Sequence, residues 1–189
     1  MGDTATPRRT PDGVRDAAAA AIGKHRNLLR SGRDGRVLSA LMRPLFRVST
    51  PAGFGVLTTT GRKTGKPRSK CVRAVRRGSR VYLVALRPPH LAVTRPNAVQ
   101  AWVWNIRANP KVRLALRDAT LPGIAREITD TAELQHAREA LCETVHSFDY
   151  GECALHLRGL PTRTKIQDLH RYWFDTGIPI AIDVRETPA

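Results

Sequence analysis

The sequence is poor in several features that would define a class of protein by themselves. Its three cysteines, Cys71, Cys142 and Cys153, are irregularly spaced, which argues against a disulfide framework and suits a reducing compartment. No apolar run approaches the roughly 18 to 20 residues that a membrane-spanning helix needs. The N-terminus has arginines but no apolar stretch before a cleavage site, so it does not resemble a secretory signal. These absences predict a cytoplasmic protein with one hydrophobic core.

Carboxylates are missing from a long part of the chain. Residues 35–117 contain eighteen lysines and arginines and no aspartate or glutamate. Residues 118–189 contain seven lysines and arginines and twelve aspartates and glutamates, and the net charge of the whole chain is +16. Cations without acidic neighbours in sequence are expected to project a positive field that attracts polyanions. A nucleic acid, an anionic membrane surface and a multiply charged cofactor all fit that description. The alternative is an arginine-rich composition that serves no function.

Other functional classes lack their signatures. Aromatic residues make up only 5% of the chain, which is few for stacking bases, and no DNA-binding or RNA-binding motif occurs. Ser/His/Asp and paired-carboxylate arrangements are also missing. Cys153 and His156 have helical i, i+3 spacing, but a zinc site needs further ligands at ligand spacing, and none is visible. We predict no specific nucleic-acid partner and no metal.

Along the chain, three predicted strands follow one another directly, and most of the predicted helices come after them. A doubly wound sheet would need strands and helices in alternation, so we predict an α+β fold built on a small mixed or antiparallel β-barrel. The six predicted strands are residues 54–60, 70–77, 80–86, 111–117, 123–129 and 178–184. The predicted helices are residues 12–30, 36–48, 98–107, 131–148 and 165–174, with an irregular loop at 87–97.

The segment before the first strand is basic. Residues 36–48 place apolar side chains at helical spacing beside Arg36, Arg43 and Arg47. Such a helix could lie on an anionic lipid surface, although packing against the domain is the favoured interpretation. We predict a disordered start and a basic helical extension over residues 1–49, and a barrel domain over 50–189. The partner predictions are a small-molecule substrate, a homodimer and a peripheral contact of the extension with the inner face of the membrane.

A turn rich in glycine and cations follows the first strand. Residues 57–68 read LTTTGRKTGKPR, and we call residues 61–68 the basic turn. Its spacing is not that of a Walker loop. Its glycines nevertheless allow close approach of an anion, and the cations Arg62, Lys63, Lys66 and Arg68 can each form charge-assisted hydrogen bonds of roughly 1.5 to 3 kcal/mol. A solvated hairpin turn is the alternative.

Four blocks together resemble the deazaflavin-dependent nitroreductase family. They are LTTTGRKTGKPR, AWVWNIRANP about 35 residues later, AREITD and IPIAIDV, and the likeness extends over most of residues 50–184. Members of that family bind coenzyme F420 on a split β-barrel, so the resemblance implies that fold and that cofactor. F420 carries a phosphodiester and a polyglutamate tail, which suits a surface free of carboxylates.

The resemblance implies a reductase that passes hydride from reduced F420 to a quinone, a nitro compound or an activated alkene. The cofactor-binding residues it implies are Thr60, Arg62, Lys63, Thr64, Gly65, Arg68, Trp102 and Asn105. The alternatives are a basic nucleic-acid-binding protein and a split-barrel protein that binds FMN or haem, FMN being the second choice of cofactor.

The C-terminal half departs from the family pattern. The segment FDYGECALHLRGLPTRTKIQDLHRYWFDTG stands where relatives have a shorter piece, so we predict that it faces the substrate. Within it, His156 or Tyr150 is the predicted proton donor, because an imidazole of ordinary pKa suits general acid catalysis.

Overall fold

The computed structural model describes residues 10–26 and 32–184. The predicted disordered start is outside these ranges except for Thr10 and Pro11, which cap and begin the first helix. The helices described are α1 (Pro11–Ile22), α2 (Gly32–Val48), α3 (Pro89–Thr94), α4 (Ala101–Ala108), α5 (Thr131–Glu143), α6 (Ser147–His156) and α7 (Arg163–Thr176). The strands are β1 (Phe54–Thr60), β2 (Pro67–Arg73), β3 (Val75–Arg77), β4 (Arg80–Ala85), β5 (Lys111–Ala115), β6 (Thr120–Glu127) and β7 (Ile178–Val184).

All seven strands belong to one sheet in the order β2-β1-β5-β6-β7-β4-β3, and each neighbouring pair is antiparallel. The edge strands β2 and β3 are separated in sequence by Ala74 alone. A sheet whose two edges are joined by one residue must curl until those edges approach each other. The α+β split barrel predicted from the sequence is therefore confirmed.

The predicted number of strands was too low, because residues 70–77 form two strands instead of one. The Ala74 N–H donates a hydrogen bond of 2.8 Å to the Gly53 carbonyl oxygen at the end of the β1–β2 ladder, and the chain then passes into β3, which pairs with β4 instead. Ala74 and Val75 are both buried although they are adjacent, which a continuous strand facing one core does not allow. This break at Ala74 explains the imperfect alternation of the run.

Three helix predictions also need correction. The loop predicted at residues 87–97 contains α3. The helix predicted for 131–148 divides into α5 and α6, since Thr144 and His146 are extended and the His146 N–H donates to Asp149 Oδ2 at 2.7 Å. Helix α1 ends at Ile22, short of the predicted Arg30, and residues 27–30 are outside the described ranges.

The main hydrophobic core fills the curled sheet. Leu57, Leu83, Val103, Leu114 and Ile180 are among its fully buried members. A second core lies between the sheet, α5 and α7, and a third joins α6 to α7. The N-terminal helices pack on this body, α1 against α3 and α7, and α2 against β2 and β1. No helix in the described ranges has both the length and the apolar character to span a bilayer.

The junction between α7 and β7 requires glycine, which generates a stability prediction. A Cβ on Gly177 would collide with Val84 Cγ1 and lie 2.5 Å from the Trp173 carbonyl oxygen and 2.8 Å from that of Ala85. We expect Gly177→Ala to lower the free energy of unfolding by about 1–3 kcal/mol, measured by urea denaturation. Gly23→Ala is the control, because nothing lies within 4 Å of a Cβ there. Equal midpoints for the two variants would contradict this packing.

Candidate active site

The basic turn has a fixed backbone. The Gly61 N–H donates to the Lys66 carbonyl oxygen at 2.9 Å, and the N–H groups of Thr64 and Gly65 donate to the Gly61 carbonyl oxygen at 3.1 and 2.7 Å. Gly65 has a φ of +64°, in the left-handed region that glycine occupies without strain. The four cationic side chains of the turn are exposed. Local hydrogen bonds thus hold the loop closed while its charges remain available to a ligand.

Asn105 connects this turn to α4. Its Oδ1 accepts a hydrogen bond from the Arg62 N–H at 3.1 Å, and its Nδ2 donates to Thr59 Oγ1 at 3.1 Å. Asn105 is only 7% exposed. Both ends of its carboxamide are therefore engaged with the strand and the turn, and they hold the Arg62 N–H beside α4.

The two tryptophans of α4 differ in their surroundings. Trp104 is 42% exposed, and the guanidinium carbons of Arg62 and Arg107 lie 5.7 and 4.6 Å from its ring centre. Trp102 is buried in the main core, and its indole N–H donates to Gln100 Oε1 at 2.7 Å. Trp104 thus stacks with cations at the surface, whereas Trp102 forms part of an inner wall.

A cleft of about 1050 Å³ lies between the basic turn, α2 and the start of α4, and we call it the cation cleft. No carboxylate occurs among the described residues that line it. Its cationic lining residues are Arg43, Arg62, Lys63, Arg68, Lys70 and Arg87. None of these six forms an ion pair with a carboxylate in the described ranges. An uncompensated group of cations around a concave site favours a multiply charged anion.

A second cavity, of about 360 Å³, lies behind the cation cleft, and we call it the apolar chamber. Aliphatic and aromatic side chains dominate its walls. They include Met42, Phe46, Phe54, Val72, Leu141, Leu155, Phe148 and Trp173. Its polar lining includes Arg73, Glu152, His156 and His170. A mainly apolar pocket with some polar groups in its wall is typical of a small-molecule site.

Lys70, Gln100 and Trp102 line both cavities. Lys70 Nζ donates to Gln100 Oε1 at 2.9 Å, and Gln100 Nε2 donates to the Leu86 carbonyl oxygen. Burial lowers the pKa of Lys70. Sequence reasoning missed Lys70 and Gln100, which are thirty residues apart and meet only because β2 lies beside the segment that leads into α4.

The structure brings together most of the predicted cofactor ligands. Arg62, Lys63, Thr64, Arg68, Trp102 and Asn105 all line the cation cleft. Thr60 and Gly65 are not among its lining residues. Thr60 is the last residue of β1, paired with Pro67, and Gly65 contributes the left-handed bend.

The two predicted proton donors lie apart. His156 lines the apolar chamber with its ring centre 5.2 Å from that of Trp173, and burial lowers its pKa to about 4. Its imidazole is therefore uncharged near neutral pH. Tyr150 is 41% exposed and lines neither cavity. Cys153, whose pKa is raised by burial, packs among Leu169 and Trp173 as a core residue.

A curled antiparallel sheet that carries a cation cleft and an apolar chamber defines a split-barrel oxidoreductase for an anionic redox cofactor. The family model described as F420H(2)-dependent quinone reductase matches residues 47–163, which is more than half of the chain. The chain belongs to this family. It is therefore an oxidoreductase that uses coenzyme F420 as its hydride donor, as the resemblance implied.

Several solved structures resemble the chain weakly. One described as an F420-H2 dependent reductase is 24% identical, with a TM-score of 0.45 over 71% of this chain and 95% of that chain. Another, described as a domain-swapped dimer, is 24% identical, with a TM-score of 0.47 over 82% and 100%. The heme storage protein HutZ from Vibrio cholerae is 13% identical, with a TM-score of 0.41 over 78% and 90%.

The position of Asn105 predicts that the basic turn loosens when its carboxamide is removed. Asn105→Ala should leave the Arg62 N–H without its partner and remove the hydrogen bond that the buried Thr59 hydroxyl accepts, at a cost of about 1–3 kcal/mol in the free energy of unfolding. Amide hydrogen exchange in residues 58–68 should become faster. Asn109→Ala, at the end of the same helix, is the control that should leave this exchange unchanged. Equal protection of the turn in both variants would contradict the anchoring role.

Proposed function

We propose that this protein reduces a quinone held in the apolar chamber while the anionic tail of coenzyme F420 occupies the cation cleft. When bound, the reduced coenzyme supplies the hydride. The observation that carries the proposal is the wall that the two cavities share, formed in part by Lys70, Gln100 and Trp102. A cleft for an anion and a chamber for an apolar acceptor meet there. Proximity of the two ligands can by itself supply several kcal/mol of barrier lowering.

The cation cleft fits the chemistry of the coenzyme. A phosphodiester and several carboxylates would find six cationic side chains and no acidic one in the described lining. We propose that Arg62, Lys63 and Arg68 bind the phosphate and the tail, and that Thr64 adds a hydroxyl. Arg62 and Arg68 can each form paired hydrogen bonds with a phosphate or a carboxylate. We propose that Asn105, Thr60 and Gly65 contribute by holding the shape of the turn.

We propose a quinone as the acceptor because of the walls of the apolar chamber. Phe54, Phe148 and Trp173 offer aromatic faces, and the chamber is within the size range of small-molecule sites. Nitro compounds and activated alkenes are the other acceptors that such a chamber could hold. His156 can donate an N–H hydrogen bond to an acceptor oxygen, since its neutral ring keeps one donor. Tyr150, the other proton donor predicted from the sequence, stays a prediction.

The three partners predicted from the sequence are a small-molecule substrate, a second copy of the chain and a membrane surface, and they are supported to different extents. The family shown implies a small-molecule substrate. The homodimer and the peripheral membrane contact through α2 stay predictions. In α2, the apolar side chains of Val37, Leu41, Leu45 and Val48 are all more than half exposed.

The proposed cofactor site is tested by removing two cations of the basic turn. Lys63→Ala combined with Arg68→Ala should raise the dissociation constant for F420 tenfold or more, because each lost charge-assisted hydrogen bond is worth roughly 1.5 to 3 kcal/mol. Fluorescence or absorbance titration with F420 measures this constant. Titrations with FMN and with haem under the same conditions check the alternative cofactors.

The control removes the same charge elsewhere. Lys111→Ala combined with Arg163→Ala replaces two exposed cations that do not line the cation cleft, so F420 affinity should change little. A loss of affinity of the same size in both double variants would attribute binding to net charge alone. Unchanged affinity in the first double variant would refute the proposed site.

A further inference from the structure

Glu152 is a carboxyl group in an unfavourable place for a charge. It lies on α6 and lines the apolar chamber opposite predominantly aliphatic and aromatic side chains. Its Oε2 atom is buried, and no group in the described ranges forms a hydrogen bond with it. A buried carboxylate oxygen without a donor costs several kcal/mol, whereas a neutral carboxylic acid costs far less. The position therefore favours the protonated form.

The nearest cation is already engaged. Arg73 Nε lies 3.4 Å from Asp149 Oδ1, and the other guanidinium nitrogens donate to the carbonyl oxygens of Leu141 at 2.9 Å and Thr144 at 2.6 Å. Ligand atoms of Asp149, Glu152 and His170 all lie within 4.8 Å of one another. Two neighbouring carboxyl groups thus lie near one guanidinium, and it is Asp149 that forms the ion pair with it. The negative charge of Asp149 makes ionisation of the neighbouring Glu152 carboxyl less favourable.

The charge state of Glu152 follows from these contacts. Burial raises its pKa to about 7, opposed by the charge of Arg73 and supported by that of Asp149. Burial also lowers the pKa of His170 to about 3, so that ring is neutral and brings no compensating charge. The charged or titratable groups around Glu152 and the chamber are Lys70, Cys71 and Arg73 of β2, Asp149 and His156 of α6, and His170 of α7. Glu152 therefore holds its proton below neutral pH and loses it as the pH rises through about 7.

We propose that Glu152 is the proton donor of the apolar chamber. The inference rests on the proposed function and adds to it the source of the second hydrogen. An acceptor that receives hydride gains two electrons and one hydrogen, and a quinone then carries a negative oxygen. The O–H bond of the Glu152 carboxyl breaks as an O–H bond forms on that oxygen. Glu152 is left as a carboxylate and regains its proton from solvent before the next turnover.

A metal ion is the competing interpretation of the same cluster. Asp149, Glu152 and His170 offer donor atoms at suitable separations. The guanidinium of Arg73 beside Asp149, however, already places a positive charge there, and a dication would be repelled by it. Proton storage fits the cluster better than metal binding. Treatment with a chelator should leave the reductase activity unchanged, and activity that is lost to chelation and restored by Zn²⁺ would overturn the proposal.

The direct test replaces Glu152 by its neutral isostere. We expect Glu152→Gln to lower kcat for acceptor reduction about 100-fold, the usual range for losing a general acid, with the dissociation constant for F420 unchanged. In the wild type, kcat should fall as the pH rises through about 7, and Glu152→Gln should lack this decline. Glu139→Gln, which alters an exposed glutamate of α5, is the matched control and should behave as the wild type.

A measurement without turnover keeps the proposal testable if the variant folds poorly. Infrared spectra of the wild type should show a protonated carboxyl group about one pH unit below 7 that disappears about one unit above it. The band should persist in Glu139→Gln and be absent from Glu152→Gln. A carboxyl band lost already near the ordinary glutamate pKa of about 4.3 would overturn the proposal.

Failure of this inference can be told from failure of the proposed function. If the wild type neither binds F420 nor oxidises its reduced form, the proposed function is wrong. If the wild type does both, and Glu152→Gln matches Glu139→Gln at every pH, only the role of Glu152 is wrong.

Discussion

Two hydrogen bonds of the Asn105 carboxamide connect the basic turn to the helix that carries both tryptophans. Through them, the outer end of the β1–β2 hairpin is attached to the C-terminal half of α4. The turn's own hydrogen bonds fix its shape, and Asn105, together with the Lys70–Gln100 hydrogen bond and the contact of Arg62 with Trp104, fixes its position relative to α4. The position of the Arg62 backbone in the lining of the cation cleft therefore depends in part on this buried amide.

The fold gives some of the cations carboxylate partners and leaves others without one in the described part of the chain. Some arginines of the carboxylate-free span find acids supplied by the later part of the chain: Arg80 pairs with Asp183 at 2.8 Å, and Arg107 pairs with Glu127 at 2.6 Å. The cations that line the cleft have no such partner in the described ranges. Acids of the later part of the chain thus offset some of the positive charge outside the cleft. The six cleft cations keep no carboxylate partner in the described part of the chain and can attract an anionic ligand.

Much of the barrel could be predicted because its strands are β-branched runs with clear ends: β1 and β7 coincide with the predicted residues 54–60 and 178–184. The division at Ala74 could not, since it shows only when the adjacent residues Ala74 and Val75 both turn out to be buried, one in the main core and the other in the second core. The basic turn could be predicted as an anion-binding site because its sequence combines glycines with four cationic residues. Glu152 could not, because a glutamate in sequence is expected on the surface, and only the packing of α6 against β2 and α7 turns it toward an apolar space.

We propose that the basic turn recognises the anionic tail of the coenzyme, so that the redox-active ring is held against the chamber by contacts made elsewhere on the molecule. Binding energy from such a remote group can be used to orient the reacting centre. The most direct test compares the affinity of the wild type for F420 with its affinity for the deazaflavin chromophore without phosphodiester and polyglutamate. We expect the intact coenzyme to bind at least tenfold more tightly, with a difference that shrinks as salt is added. Equal affinity for the two ligands at low salt would contradict it.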